Sequence, residues 1–110
     1  MTETATPRYG LVGSFQAQPG QGAALAAILL QAAALMAGAP GCRLYLVGRD
    51  ARDADRIWVS EVWDSQADHD ASLGLDGVAP LIAAARPLLA APPQGGIPLD
   101  VLGGTGLAGA

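Results

Sequence analysis

At 110 residues the chain has room for one domain with one core. Hydrophobic residues make up 51% of it and charged residues only 15%, where globular chains usually carry about 25%, so part of the surface is expected to be hidden in an interface. Six arginines, no lysine and a net charge of −4 exclude the clustered basic surface that nucleic-acid phosphates need, and the lone Cys42 excludes an intrachain disulfide or a thiolate metal cluster.

The opening MTETATPRYG is polar and lacks the basic-then-apolar pattern of a signal peptide, so residues 1–7 are expected to be a flexible N-terminus and the protein cytoplasmic. Arg8 to Gln16 alternates loosely, with Tyr9, Leu11, Val12 and Phe15, and predicts a first strand that Pro19-Gly20 breaks. A helix follows from about Gly22 to Met36, its apolar stripe formed by Leu25, Ile28, Leu29, Ala32, Leu35 and Met36. It is Ala-dominated and interrupted by Gln31, too short and too weakly apolar for a membrane span of about 20 residues.

Gly38, Pro40 and Gly41 end that helix. Cys42 to Arg49 alternates again, with Leu44, Leu46 and Gly48 on one face and Tyr45 and Val47 on the other. The charged turn Asp50 to Asp55 is short, so Ile57 to Trp63 should pair with the preceding strand as an antiparallel hairpin. Ser65 is placed to cap a short helix running to Leu73, and a second main helix should span about Val78 to Leu89, its last turns bent or tightened by Pro87. After the Pro92-Pro93-Gly95-Gly96 loop, Ile97 to Leu102 makes a short fourth strand, and residues 103–110 form a Gly-rich tail. The order β-α-β-β-α-β over residues 8–102 predicts an α+β, ferredoxin-like domain, an antiparallel sheet with helices on one side. A second copy of the chain is the economical cover for the other side.

With those elements placed, the chain resembles the antibiotic biosynthesis monooxygenase superfamily, in particular its small quinol-monooxygenase-like members. The matching residues are Gln18-Pro19-Gly20, Pro40-Gly41-Cys42, Asp55-Arg56, Glu61-Val62-Trp63, the run Asp68 to Leu73, Ala85-Arg86-Pro87-Leu88 and Gly103 to Leu107, in that order over roughly residues 8–107. The resemblance implies a ferredoxin-like fold that dimerises through its sheets into an α+β barrel. It also implies a pocket between helices and sheet in which a quinol or polycyclic phenol is oxidised by O2, often without metal, flavin or haem. Haem-degrading relatives carry an iron-ligating histidine about where Ser72 or Leu73 stands here, so haem is not expected. Some polyketide-oxidising relatives use an asparagine on the tryptophan strand, and this chain has no asparagine.

Cofactor-free oxygenation requires a base to make the substrate anion, a dry pocket and a donor to stabilise charge. His69 is the candidate base, since an imidazole titrates near neutral pH, and Trp63 offers a flat wall with an indole N–H; these two are the expected catalytic residues. Ile57, Val59, Glu61 and Trp63 share one strand face by period two, and His69, Ser72 and Leu73 share one helix face. If those faces meet, Glu61, Ser72, Leu73 and Val59 are the expected substrate-binding residues. Each has a plainer role: Trp63 as core, His69 as a surface residue whose pKa Asp68 and Asp70 would raise, Glu61 as a partner of Arg43, Arg49 or Arg86. Trp58, of opposite parity, should face the dimer side. The alternatives to an oxygenase are a small-molecule binding or isomerase module on the same barrel, and a haem-binding or haem-degrading protein.

Overall fold

The computed structural model describes residues 7–93 and 95–107. Residues 1–6 of the expected N-terminal segment and the last three residues of the Gly-rich tail lie outside the described residues. The elements run β1 (Arg8–Gln16), α1 (Gly22–Met36), β2 (Cys42–Arg49), β3 (Arg56–Trp63), α2 (Gln66–Ser72), α3 (Val78–Ala85) and β4 (Ile97–Val101). The sheet has the order β2-β3-β1-β4 with every neighbouring pair antiparallel, the ferredoxin-like arrangement expected from the element order. Strands β3 and β4 differ from the expectation by one residue at one end each. Helix α3 stops at Ala85, and Arg86–Leu88 continues as a 3-10 turn. Pro87 has no N–H to extend the α-helical ladder, which is why the last turn tightens there.

The pleat sorts the strands into two faces. Tyr9, Leu11, Gly13 and Phe15 of β1 lie opposite Trp63, Glu61, Val59 and Ile57 of β3, and Tyr45 and Val47 of β2 lie opposite Glu61 and Val59. This face carries the helices. Val12, Trp58, Val62, Leu46, Ile97 and Leu99 are on the other, and Leu46, Trp58, Ile97 and Leu99 among them are exposed. Trp58 has the parity expected of it, and its indole donates to Asp50 at 3.1 Å.

The core between helices and sheet is divided. One cluster joins Met36, Ala39, Trp63 and Val78, with Tyr9, Cys42, Tyr45 and Leu75 packed on it. The other joins Ala17, Leu25 and Ile57, with Phe15, Leu29, Val47, Ala85 and Leu89 around it. A cavity separates the two.

Long-range contacts set both ends of α1. No side chain of its own first turn caps it; instead the Asp55 carboxylate, from the β2–β3 turn, accepts from the Gly20 N–H at 3.1 Å and the Gly22 N–H at 2.9 Å. A Cβ on Gly22 would run into the Ala54 carbonyl and the Asp55 side chain, so only glycine admits this approach. Beyond the other end, Gly41 takes φ +81° and lies against the Asp68 side chain of α2. No helix among the described residues is long and apolar enough to cross a membrane.

Candidate active site

The cavity between the core clusters has a volume of about 420 Å³. Its floor is the sheet face, with Leu11, Phe15, Tyr45 and Glu61. The α1 stripe supplies Leu25, Ile28, Leu29, Ala32 and Met36, and α3 supplies Val78, Leu81, Ile82 and Ala85. Helix α2 and the residue after it close one end with His69, Ser72 and Leu73, while Arg86, Leu89 and Pro93 border the other. The wall is therefore apolar apart from Tyr45, Glu61, His69, Ser72 and Arg86.

Glu61 and His69 meet because β3 ends at Trp63 and the chain turns directly into α2. Ser65 is extended (φ −153°) and its hydroxyl accepts from the Asp68 N–H at 3.1 Å, starting the helix. His69 lies one turn on, with its Nε2 3.8 Å from Glu61 Oε1 and its Nδ1 2.9 Å from Asp70 Oδ1. Its ring is fixed by two aromatic neighbours, Tyr9 at 5.5 Å and, edge-on, Trp63 at 5.9 Å between centroids. The Ser72 hydroxyl donates to the His69 carbonyl at 2.6 Å, tightening the same turn.

Glu61 is the unusual group. Only 13% of its side chain is exposed, and the Trp63 indole donates to its Oε1 at 3.1 Å. Burial pushes its carboxyl above the ordinary carboxylate range; the Trp63 hydrogen bond and the nearby His69 pull the other way without reversing the shift. Burial also pushes the Tyr45 hydroxyl well above its usual range, with the Glu61 charge adding to it, so Tyr45 stays a neutral donor. A proton-accepting carboxylate, an imidazole and a phenol thus share one end of an apolar cavity. That set can move a proton to or from a bound ligand while keeping water scarce.

The structure redistributes the residues expected from sequence. His69, Glu61, Ser72 and Leu73 come together on the cavity wall. Trp63 does not: it is fully buried with Met36, Ala39 and Val78, and touches the site through its N–H to Glu61 and its edge-on contact with His69. Val59 shares the face but sits between Gly13 and Val47 in the sheet, 4% exposed and off the wall. Among the described residues no ion pair joins Glu61 to an arginine, so its plainer role as an arginine's partner is not what the structure shows. Arg43 is held at 2.8 Å by Asp64, whose carboxylate also meets Arg8 at 3.4 Å, and Arg86 lies at the cavity's other end. Of the two acids expected beside His69, Asp70 is there and Asp68 packs against Gly41 instead. Tyr9, Tyr45 and Arg86 were not among the expected site residues. Tyr45 had parity on its side, but whether that face was inward depended on the bulge between Cys42 and Leu44.

Known proteins agree with this architecture. A sequence profile described as antibiotic biosynthesis monooxygenase matches residues 8–82. The solved structure of a Chloroflexus aurantiacus protein, provisionally described as an antibiotic biosynthesis monooxygenase, is 44% identical, covers 92% of this chain and 99% of its own, and superposes with a TM-score of 0.82. A Caulobacter crescentus protein with the same provisional description is 26% identical over 89% of this chain and 92% of its own, with a TM-score of 0.80. SnoaB of Streptomyces nogalater, described as a cofactor-independent oxygenase, shares the fold at a TM-score of 0.75, with 18% identity over 90% of this chain and 97% of its own. No curated protein matches the chain in sequence. The profile match spans well over half the chain and the 44% identical structure nearly all of it, so the chain belongs to the antibiotic biosynthesis monooxygenase family.

Proposed function

We propose that the protein is a monooxygenase that oxidises a quinol or polycyclic phenol with O2 and needs no metal, flavin or haem. The observation that carries this reading is the Glu61–His69 pair, 3.8 Å apart at one end of an otherwise apolar cavity. His69 takes the proton of the substrate's acidic O–H or C–H, and Asp70, 62% exposed at its other nitrogen, connects it to solvent. Glu61 stabilises the imidazolium that forms, and Tyr45 donates to the substrate oxygen as negative charge grows on it. The substrate anion then gives an electron to O2, and the radical and superoxide combine at carbon. At a CH2 centre one oxygen atom stays as the new carbonyl, and the other leaves as water with the two hydrogens of that carbon. Trp63 acts as a positioning residue through Glu61.

The donor set does not suit haem. Nδ1 of His69 is engaged by Asp70, and iron at the remaining Nε2 would compete with Glu61, 3.8 Å away. Among the described residues no group of three or more His, Cys, Asp or Glu could hold a metal ion.

We further propose that two chains pair through the outer sheet face, where Leu46, Trp58, Ile97 and Leu99 are exposed among the described residues. Sedimentation should give a dimer, and Leu46→Glu should shift it toward monomer.

Oxygen uptake by the metal-free protein on a panel of quinols and anthrone-like phenols tests the activity, with autoxidation subtracted. Uptake lost in His69→Ala and reduced in Glu61→Gln is the expected result. Uptake equal in wild type and both variants would remove these residues from the chemistry. A carboxylate and imidazole in a dry cavity can also shift a proton between two carbons. Ligand binding without oxygen uptake on any substrate would therefore favour an isomerase or binding role.

A further inference from the structure

The cavity has two chemically different ends. Glu61 lies opposite Leu11 of β1, and the segment after α3 is fastened near the other end of that strand. Ala17 and Leu89 form an antiparallel bridge, the Ala90 N–H donates to the Gln16 carbonyl at 2.8 Å, and the Leu89 N–H to the Arg86 carbonyl at 3.2 Å. Leu11 and Phe15, both on the cavity floor, are four residues apart, which at about 3.3 Å per residue is roughly 13 Å. One end of the cavity therefore holds a carboxylate, with Asp70 behind it, and Arg86, an exposed residue, borders the other.

That guanidinium is uncommitted. Arg8 and Arg43 are paired with Asp64, Arg52 meets Asp50, and Arg56 donates to Gln16 and Ser14. Arg49 and Arg86 make no ion pair or side-chain hydrogen bond among the described residues, and of these two only Arg86 lines the cavity. In a chain with net charge −4, the arginine that lines the cavity is one of two that no acid among the described residues pairs with. A guanidinium presents a planar fork of donors suited to a carboxylate, while Glu61 and Asp70 repel a second negative charge at their end.

We propose that the cavity selects aromatic substrates that carry a carboxylate at the end remote from the reacting hydroxyl, and that Arg86 binds that carboxylate. The proposal rests on the reading of this cavity as an aromatic-substrate site, and it adds both a substrate class and an orientation. The hydroxyl goes to Glu61 and His69, the rings lie along the Leu11–Phe15 floor under α1 and α3, and the acid reaches the mouth.

Calorimetric titration separates this from the oxygenase chemistry. The probes are 2-naphthol, 6-hydroxy-2-naphthoate, with its carboxylate across the rings from the hydroxyl, and 3-hydroxy-2-naphthoate, with the two adjacent. At neutral pH the wild type should bind the 6-hydroxy acid about tenfold more tightly than 2-naphthol, the scale of one charge-assisted bidentate contact. The 3-hydroxy acid should gain nothing. Arg86→Gln should erase the preference, and Arg49→Gln, which removes the same charge elsewhere, should keep it. Equal binding of 2-naphthol and the 6-hydroxy acid by the wild type, or a preference that survives Arg86→Gln, would overturn the proposal. So would failure of all three probes to bind. If the preference appears while no substrate supports oxygen uptake, the oxygenase reading falls and the anion subsite stands.

Discussion

Trp63→Phe tests whether the tryptophan supports the site from below. The substitution removes the indole N–H that donates to Glu61 at 3.1 Å and part of a side chain that is fully buried. Losing the extra ring atoms from a packed core costs about 1 kcal/mol in burial and cavity terms. A hydrogen bond to a charged acceptor adds about 1.5–3 kcal/mol, so the expected destabilisation is about 2.5–4 kcal/mol. Urea unfolding followed by circular dichroism measures it, with Trp58 as a fluorescent reporter on the opposite sheet face. The informative comparison is the same change made in Glu61→Gln. There the acceptor is neutral, and Trp63→Phe should cost about 1 kcal/mol less than in the wild type. A loss under about 1 kcal/mol, or an equal loss in both backgrounds, would show that packing alone explains Trp63 and that it does not hold the carboxylate.

Glu61 also gives a pH signature. Burial raises its carboxyl in the folded state above its unfolded value. Below the unfolded value the group is neutral in both states and costs nothing; above the folded value the native state carries the full penalty. Stability of the wild type relative to Glu61→Gln should therefore fall as pH rises from the ordinary carboxylate range through the raised folded value, as chemical denaturation at each pH would show. Asp64 has the opposite sign, because the Arg43 hydrogen bond holds its carboxyl below the ordinary range, with Arg8 adding to the effect. Its stabilising contribution is present above the unfolded carboxylate value and lost as pH falls through the folded one. Asp64→Asn should thus lower the melting temperature at neutral pH, with the difference shrinking as pH falls through the lowered folded value. Asp55→Ala removes two bonds to the start of α1 and should cost about 1–2 kcal/mol in the same unfolding assay, with faster amide exchange in the first turn of that helix.

How far the sequence could be read follows the range of the forces involved. Period-two alternation placed Ile57, Val59, Glu61 and Trp63 on one face, and the pairing of β1 with β3 has them there. The stripe of α1 was legible from three-and-four spacing, and all of it but the exposed Leu35 lines the cavity. Alternation does not reveal which inward residues face packed atoms and which face space. Trp63 and Val59 are covered and Glu61 is not, because that depends on where α1 and α3 stand over the sheet. Partners distant in sequence were equally hidden. Nothing local says that Asp55 caps a helix 33 residues earlier, or that Arg43 pairs with Asp64 while no arginine among the described residues pairs with Glu61. Even the break at Pro87 was visible only as a disturbance, although the 3-10 turn there carries Arg86, which borders the cavity.

The missing cation matters for the chemistry. A carboxylate with an arginine beside it is a stable ion pair with little tendency to change protonation state, and Asp64 is held in that way. Glu61 has instead one neutral donor and a titratable imidazole, inside an apolar wall. Its charge is costly when the cavity is empty and becomes favourable when a proton arrives on His69. In the proposed reaction the penalty borne by the resting protein is released when His69 takes up the proton, since the imidazolium is a countercharge beside Glu61. Helix α2, with only seven residues, would not hold His69 in place alone. The Ser65 cap, the Ser72 hydroxyl and the Tyr9 and Trp63 rings fix its position. Trp63 is common to both halves of the arrangement, bonding the carboxylate and bracing the imidazole. A fully buried residue with no access to substrate therefore sets the distance between the two groups.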